Sequence, residues 1–582
     1  LTSGTPTVPV HSLNNPGPAS GDFFGQSVSI SGTRVIVGAD SDDTGAADAG
    51  SAYVYDLTSG TPTVPVQTLN NPGPSSRDNF GYSMAVSGTR VVGGAYNDDT
   101  GSADAGSAYV YDLTSPTPTV PVHSLNNPGP ASGDRFGNSV AIFGTRVVVG
   151  AYNDDTGAAD AGSAYVYDLT SGTPTVPVQI LNNPGPASSD LFGCSVGISG
   201  TRVVVGACAD STGATGAGSA YVYDLTSPTP TVPVHTLNNP GPASGDRFGE
   251  SVAISGTQVV VGASYDDTGA ADAGSAYVYD LTSPTPTVPV QTLNNPGPVV
   301  GDRFGNSVTI SGTRVAVGAR YDDSGAVDAG SAYVYDLTSP TPAVPVQTFN
   351  NPDPRNGDWF GNLVSISGPR VVVGVIRDDP EIVDGNAGSA YVYDLASPTP
   401  TVPVATLNNP APAAEDAFGC SVAIDDTTIA IGADHDNSPQ NDKGSAYLYG
   451  PIDGDNDTLR DPWEITHFGS SYGHGALDDF DHDGYNELLE LGFGLDPRVS
   501  DPGGIPGLTQ EGGYLTLTIT KQAGAAYEVQ SAGTLLPALP ESFSPASTTI
   551  LIDDATTLKA RDNFLISGSP RRFIRAQVTG AP

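Results

Sequence analysis

The stretch FGESVAISGTQVVVGASYDDTGAADAGSAYVYD, residues 248–280, determines the architecture, because close copies of it fill most of the chain. Each copy begins with Phe-Gly, has Asp two residues before the Phe, and leads to a Gly-Ser-Ala-Tyr segment. The step between copies is 56 residues, with one two-residue insertion in the seventh. A multi-strand repeat of this kind indicates a radial or stacked array. Eight repeats fill residues 1–450, and their Phe residues are Phe24, Phe80, Phe136, Phe192, Phe248, Phe304, Phe360 and Phe418.

Each repeat contains four segments with strand patterns and none with a helical period. FGESVAI alternates, and QVVVGA is a continuous apolar run that favours a strand buried on both faces. GSAYVYD is aromatic and β-branched, which suits a pleated sheet. VPVQTL contains a proline that cannot donate to a ladder, so this segment belongs at an edge. Together they predict one four-stranded blade of an all-β propeller.

The order of segments along the chain predicts how the ring closes. A proline strand, VPVHSL at Val8 to Leu13, comes before the first Phe-Gly, and the last repeat stops after its third strand, GSAYLYG. If the first strand pairs with the last repeat, the ring has no free edge. We therefore expect an eight-bladed propeller over residues 1–450. A seven-bladed ring with one additional repeat is the alternative.

The repeated Phe-Gly, Val-Gly-Ala and Gly-Ser-Ala-Tyr-Val-Tyr segments resemble the FG-GAP repeat, the blade unit of integrin α-subunit propellers and of many exported bacterial proteins. The resemblance implies ligand binding on the face that carries the connections between strands two and three and between strands four and one. It does not extend to the calcium site of that family, because the first hairpin here is Ser255-Gly256-Thr257, without a carboxylate. Nearly identical blades would make the binding face eightfold symmetric, with blades seven and eight (376–386 and His435) as exceptions.

An acidic loop lies between the second and third strands of each repeat. It carries Asp266, Asp267 and Asp272 in the fifth repeat, with counterparts at Asp42, Asp43 and Asp48 in the first. Clustered carboxylates are calcium ligands, but Asp and Gly also suit solvated turns. The fourth repeat keeps only one acidic residue of this loop, with no evident compensation in the sequence. The solvated loop is therefore the favoured interpretation, and a metal site the alternative.

Two loops after the repeats have the spacing of EF-hand-type calcium sites, and a paired calcium module is predicted over residues 451–502. The loop DGDNDTLRDPWE, residues 453–464, has predicted oxygen ligands at positions 1, 3, 5, 7, 9 and 12. Its sixth residue is Thr458, where such loops usually have glycine. DFDHDGYNELLE keeps the whole pattern. The module resembles dockerin or thrombospondin type 3 repeats, and its Ca²⁺ ions would be structural; an acidic linker is the alternative. The predicted ligands, with Leu459 and Tyr485 acting through their carbonyl groups, are Asp453, Asp455, Asp457, Leu459, Asp461, Glu464, Asp479, Asp481, Asp483, Tyr485, Glu487 and Glu490.

Alternating segments such as YLTLTIT, Tyr514 to Thr520, predict a small β-sandwich over residues 503–582. The three cysteines, Cys194, Cys208 and Cys420, form no disulfide framework. Cys194 and Cys208 could face each other across one hairpin, but small buried thiols are the favoured interpretation.

Composition restricts the classes of function. The chain has 63 Asp and Glu against 22 Lys and Arg, a formal net charge of −41, which argues against nucleic acid and anionic membrane surfaces as partners. No run of about 18 apolar residues predicts a membrane span. The chain begins at Leu1, so a targeting segment is expected to have been removed or to lie outside it.

No catalytic constellation of residues stands out. The leading hypothesis is therefore a monomeric, secreted or cell-surface, calcium-binding propeller that binds a protein or carbohydrate ligand through one loop face and has no enzymatic activity. A propeller-based extracellular hydrolase or lyase and a non-binding structural scaffold are the alternatives, because fold alone does not establish function.

Overall fold

The computed structural model describes residues 9–450, except 60, 380–384, 426–427 and 438–441, and beyond residue 450 the backbone of six strands. The chain divides into two compact units, the first of which comprises residues 5–450. This unit is all-β, and its described residues form no helix.

The described strands of the first unit run as follows in chain order. The chain starts with β1 (His11–Asn14), and blade one contains β2 (Phe24–Ser31), β3 (Arg34–Ala39), β4 (Ser51–Asp56) and β5 (Gln67–Asn70). Blade two contains β6 (Phe80–Ser87), β7 (Arg90–Ala95), β8 (Ser107–Asp112) and β9 (His123–Asn126). Blade three contains β10 (Phe136–Phe143), β11 (Arg146–Ala151), β12 (Ser163–Asp168) and β13 (Gln179–Asn182). Blade four contains β14 (Phe192–Ser199), β15 (Arg202–Ala207), β16 (Ser219–Asp224) and β17 (His235–Asn238).

The second half of the ring repeats the same order. Blade five contains β18 (Ser251–Ser255), β19 (Gln258–Ala263), β20 (Ser275–Asp280) and β21 (Gln291–Asn294). Blade six contains β22 (Phe304–Ser311), β23 (Arg314–Ala319), β24 (Ser331–Asp336) and β25 (Gln347–Asn350). Blade seven contains β26 (Phe360–Ser367), β27 (Arg370–Val375), β28 (Ser389–Asp394) and β29 (Ala405–Asn408). Blade eight contains β30 (Ser421–Asp425), β31 (Thr428–Ala433) and β32 (Ser445–Tyr449).

The first strand closes the ring, as the chain order predicts. Blade eight has the strand order β1-β32-β31-β30, so β1 supplies its outer strand. The pairing is antiparallel, from His11 opposite Leu448 to Asn14 opposite Ser445. The other seven blades are each built from four consecutive antiparallel strands. The eight-bladed prediction is therefore confirmed, and the seven-bladed alternative is wrong.

The hydrophobic core lies between neighbouring blades. The second strand of each blade is buried on both faces, as Val35, Ile36 and Val37 of β3 show. The core between blades four and five joins Leu237 of one blade to Phe248 of the next. The first strands of adjacent blades contact each other all the way round, so they surround the axis of the ring.

Glycine at two repeated positions allows the close approach of the blades. A Cβ atom on Gly38 would collide with the carbonyl oxygen of Gly81 in the next blade, and a Cβ on Gly81 would lie 2.5 Å from the carbonyl oxygen of Ser51. Gly81 also has a φ of +101°, which L side chains rarely adopt. The repeated Phe-Gly and Val-Gly-Ala segments are therefore explained by packing between blades.

The fourth strand is shorter than the sequence predicts. The ladder of β5 begins at Gln67, after Pro65, and the only earlier bond to the third strand runs from the Val66 N–H to the Val54 carbonyl, at 2.8 Å. The predicted proline strand is thus a short edge strand preceded by a proline segment, because proline has no N–H for the ladder.

The backbone described after residue 506 forms two antiparallel sheets. One has the order β33-β34-β37-β36 and the other pairs β35 with β38. These strands are β33 (Gly507–Glu511), β34 (Tyr514–Thr520), β35 (Ala526–Ala532), β36 (Thr548–Asp553), β37 (Thr557–Leu565) and β38 (Phe573–Gly580). The predicted strand at Tyr514 to Thr520 is present, whereas the β-sandwich stays a prediction. Among the described residues, no helix has the length and apolarity needed to cross a bilayer.

Candidate functional site

The two predicted connections meet on one face of the ring. The N–H groups of Asn79 and Phe80, at the end of one connection between strands four and one, donate to the carbonyl groups of Asp48 and Ala49 in the loop between β3 and β4. The distances are 3.1 and 3.0 Å. The same pattern recurs around the ring, and we call this side the loop face.

The acidic loop on this face is a structural turn rather than a solvated rim. Its first carboxylate, Asp42, is buried and accepts hydrogen bonds from the Tyr53 hydroxyl at 2.6 Å and the Thr44 N–H at 2.8 Å. The second, Asp43, is exposed and accepts from the N–H of Asp48, which has a φ of 54°. The first aspartate is therefore a buried, hydrogen-bonded part of the fold, which corrects the favoured interpretation from sequence.

The divergent loop of blade four keeps the same construction with other residues. The Ser211 Oγ accepts the N–H of Gly216 at 3.2 Å, where other blades use an aspartate oxygen and the N–H of a second aspartate. Asp210 still binds the Tyr221 hydroxyl. The absence of compensation inferred from the sequence is thus wrong, because serine and glycine compensate locally.

A second repeated aspartate, two residues before each Phe-Gly, is buried in every blade, and in blades one to six one of its carboxylate oxygens has no partner among the described residues. In blade three the Asp134 Oδ2 accepts from the Asn127 side chain and the Ala131 N–H, at 2.6 and 2.7 Å, while Oδ1 has no partner. Burial, with Asp154 nearby, raises the pKa of Asp134 to about 6. In blade eight the side chain of Asn437 reaches Asp416 Oδ1 instead, at 3.3 Å.

Four repeated positions differ from blade to blade at the loop-face end of the innermost strands. They are the residue before the Phe, the residue after Phe-Gly, and the two residues that follow the second strand. In size, charge and polarity they vary strongly, whereas the Phe-Gly, Val-Gly and Gly-Ser-Ala-Tyr segments around them are nearly constant. We call them the mouth positions, since the innermost strands surround the axis of the ring. In blades one to eight they are Phe23, Gln26, Asp40, Ser41; Asn79, Tyr82, Tyr96, Asn97; Arg135, Asn138, Tyr152, Asn153; Leu191, Cys194, Cys208, Ala209; Arg247, Glu250, Ser264, Tyr265; Arg303, Asn306, Arg320, Tyr321; Trp359, Asn362, Ile376, Arg377; and Ala417, Cys420, Asp434, His435.

The first mouth position adopts a positive φ in all eight blades. The values range from 55° at Phe23 and Arg247 to 64° at Trp359. Glycine would take this conformation without strain, while a bulky residue pays about 1–2 kcal/mol for it. Large side chains are nevertheless present at most of these positions, and strain of this kind is concentrated at functional sites.

Contacts between mouth positions link neighbouring blades. The first mouth position of one blade contacts the residues after the second strand of the preceding blade. Phe23 lies 4.9 Å from His435, Trp359 lies 5.3 Å from Tyr321 (ring centroids), and the Arg303 guanidinium lies 3.3 Å from the Tyr265 centroid. The mouth positions thus lie side by side around the axis of the ring and contact one another at these three junctions.

The surface is not eightfold symmetric. Cationic residues are concentrated in blades five to seven, where Arg377 lies 3.6 Å from the Trp359 centroid and Arg320 lies 4.8 Å from the Tyr321 centroid. Carboxylates are concentrated in blades eight and one, where Asp434 and Asp40 belong to adjacent blades. The symmetric face expected from the repeat is therefore wrong at the mouth, although His435 and Arg377 do belong to the exceptional regions identified from the sequence.

The acidic side of the mouth contains perturbed titratable groups. Burial, with Asp434 nearby, raises the pKa of Asp40 to about 7. Asp434 Oδ1 lies 2.9 Å from His435 Nδ1, and this hydrogen bond raises the pKa of His435. Asp40 can therefore change charge near neutral pH.

The cysteines are free thiols in the structure and occupy mouth positions. Cys208 is buried, and its hydrogen bond with Cys194, together with burial, raises the pKa of its thiol. Cys194 Sγ lies 3.6 Å from the carbonyl oxygen of Gly249. The two side chains meet across the hairpin of β14 and β15, as the sequence allowed, but as thiols.

The predicted calcium ligands, from Asp453 to Glu490, lie outside the described residues, so that the calcium module stays a prediction. Within the part of the chain that the structure describes, no group of three or more His, Cys, Asp or Glu side chains could hold a metal ion.

The repeat pattern does not predict the mouth positions, because they are the positions at which the copies differ. Aligning the eight copies at their 56-residue step shows the signal directly: invariant residues frame four variable ones. Because the rest of the repeat is almost unchanged from copy to copy, variation at these four positions points to a role other than folding.

Comparisons with known proteins agree with this architecture. A model of the FG-GAP repeat matches residues 11–55, 65–111, 123–167, 178–223, 235–279, 290–335, 346–393 and 404–449. Similar solved structures include "COPII on membranes, outer coat vertex" (14% identity, TM-score 0.39, covering 63% of this chain and 82% of that one) and "The structure of the COPII coat assembled on membranes" (14%, 0.39, 63% and 46%). No match was found among curated proteins. Since eight consecutive matches account for all eight blades, the chain belongs to the FG-GAP repeat family.

Proposed function

We propose that this propeller is a binding protein that recognises a protein or carbohydrate ligand through the mouth positions of its loop face, and that it has no enzymatic activity. One observation carries the proposal: a nearly invariant scaffold presents variable Arg and aromatic side chains side by side around the axis of the ring. Arg, Tyr and Trp are the residue types that contribute most to binding sites. The strain accepted at Trp359 and Phe23 supports the same conclusion.

A binding screen tests this function. The full chain is applied to protein and glycan arrays, together with the variants Trp359→Ala and Tyr321→Ala. Specific binding that falls about tenfold or more in these variants supports the proposal, because each ring holds an arginine of the mouth in place. The matched control is Phe143→Ala, which removes an exposed ring at the opposite end of β10 and should leave binding unchanged. Binding that ignores every mouth substitution would contradict the proposal.

We also propose that the protein acts outside the cell, and that residues 451–502 bind two structural Ca²⁺ ions. The spacing of acidic residues in the two loops supports the second part. Calorimetric titration of the full chain with calcium should give two sites, and Glu464→Gln and Glu490→Gln should each remove one. Unchanged protease sensitivity near residues 450–500 after chelation of calcium would contradict the proposed calcium module. The same arrays, run with and without chelator, separate a binding protein from a non-binding scaffold.

A further inference from the structure

The mouth has two sides of opposite charge. Arg247, Arg303, Arg320 and Arg377, from blades five, six and seven, form what we call the guanidinium side. Asp434 of blade eight and Asp40 of blade one form the acidic side of the mouth. The chain as a whole has 22 Lys and Arg and a net charge of −41. Among the mouth positions of blades five to seven, by contrast, the four guanidinium groups face one carboxylate, Glu250, which lies 3.6 Å from Arg247.

Aromatic rings hold these guanidinium groups in place. Arg303 and Arg247 both lie over Tyr265, at 3.3 and 4.8 Å from its centroid, and Arg377 lies over Trp359. Because these ring faces are already covered, the rings position the cations rather than stack on a ligand. A stacked guanidinium keeps its N–H edges for an anion, and its planar fork fits a carboxylate.

Two of the four groups lack a counter-charge. Arg303 lies 3.3 Å from Asp272, but neither Arg320 nor Arg377 has a carboxylate of a described residue within ion-pair distance. Among the described residues, Arg320 Nη1 donates a 3.4 Å bond to the Asn362 Oδ1, and the enclosed Nε has no partner. A bound carboxylate would therefore be held by the outer N–H groups of half-buried Arg320 and exposed Arg377.

The opposite side selects against polyanions. Asp40 is buried beside Asp434, and at a pH above the raised pKa of Asp40, about 7, the two carboxylates would repel a polymer that brings many negative charges into the mouth. A ligand with one carboxylate next to neutral or cationic groups avoids this repulsion. A protruding protein loop has that chemistry, whereas an acidic polysaccharide does not.

We propose that the guanidinium side binds an aspartate or glutamate side chain on a protruding loop of a protein partner, with Arg320 and Arg377 as its principal contacts. The inference rests on the proposed function and adds the ligand class. The mouth positions surround the axis of the ring, and this arrangement suits a narrow loop tip better than a flat surface.

Selection from a library of short disulfide-closed peptides tests the ligand class. The library is selected separately on the unmodified full chain, on Arg320→Gln/Arg377→Gln, and on the matched control Arg202→Gln/Arg314→Gln. The control arginines begin β15 and β23 at the opposite ends of the second strands. They donate to the carbonyl oxygens of Gly256 and Gly368 at 3.5 and 3.4 Å, and each lies near one carboxylate, that of Asp224 or Asp336. Peptides from the unmodified chain should be enriched in Asp or Glu, and their affinity should fall about tenfold or more only in the mouth variant, as loss of charge-assisted hydrogen bonds predicts.

Three results would overturn the proposal in distinguishable ways. Peptides that need Trp359 but show no acidic enrichment would leave the proposed function standing and remove the ligand class. Polygalacturonate that displaces the peptides more strongly than an acetylated aspartate peptide would replace the protein loop by an anionic polysaccharide. Peptides that bind every mouth variant equally would remove both the ligand class and the proposed function.

Discussion

Tyr165 and Tyr167 are two residues apart on β12 and are both buried, but their hydroxyl groups differ in partner. The Tyr165 hydroxyl donates to Asp154 Oδ2 at 2.6 Å, whereas the Tyr167 hydroxyl has no partner among the described residues. Tyr165→Phe should therefore lower the free energy of unfolding by about 1–3 kcal/mol, because it leaves a buried carboxylate oxygen unsatisfied. Urea unfolding measures the difference.

Tyr167→Phe is the internal control for this prediction, since it removes the same atom from the same strand. It should be neutral or slightly stabilising, as no bond is lost. Equal losses in the two variants would show that ring packing, and not the bond to the acidic loop, explains the invariance of these tyrosines.

The half-satisfied Asp134 predicts an unusual pH dependence. Its folded-state pKa is about 6, above the ordinary 3.8, because burial disfavours the charged form. The folded state thus holds this proton more tightly than the unfolded chain does. The stability that protonated Asp134 contributes to the folded state is fully present below about pH 4 and is lost as the pH rises through about 6. Asp134→Asn, which keeps an acceptor for Asn127 and Ala131, should gain stability relative to the unmodified chain over that interval.

Asp168 provides a control of opposite sign. Hydrogen bonds from Thr170 lower its pKa, so its contribution is present at neutral pH and lost as the pH falls. Asp168→Asn should therefore be less stable than the unmodified chain at neutral pH. Thermal melts of both variants as a function of pH measure the two effects. If stability changes with pH in the same direction in the Asp134 variant as in the Asp168 variant, burial does not set the pKa of the Asp134 carboxyl.

At the scale of the element, β1 carries the closure of the ring. Its four residues pair with β32, and Leu13 is fully buried in the core between blades eight and one. Deleting residues 1–14 should lower the melting temperature and promote self-association, because the edge of β32 becomes free to pair. Deleting residues 1–8 keeps every pair of β1 and should change neither quantity. Sedimentation and thermal melts would reveal the difference, and equal behaviour of the two deletions would contradict the closure role.

Strands and closure could be predicted because they depend on local patterns. An apolar run such as Val259 to Val261 can only be buried on both faces, and a leading outer strand can pair only with the incomplete last repeat. The partners of the acidic loop could not be predicted, because Asp42 and Tyr53 meet through the path of the connection between two strands. The mouth surface likewise depends on contacts between blades, such as Arg303 with Tyr265, that no single repeat contains.

At the scale of the whole molecule, charge acts in opposite directions on folding and on binding. A net charge of −41 destabilises the compact state through self-repulsion, and salt screens it over a Debye length of about 10 Å at 0.1 M and about 3 Å at 1 M. Added sodium chloride should therefore raise the melting temperature. The same salt should weaken an acidic ligand held at Arg320 and Arg377, since that attraction is screened as well. Both quantities can be followed in one titration series, with sucrose as the uncharged control. If affinity rises together with the melting temperature, the ligand is held by apolar contacts at the mouth. If the melting temperature falls, the ion pairs that salt screens contribute more to stability than the self-repulsion that it screens.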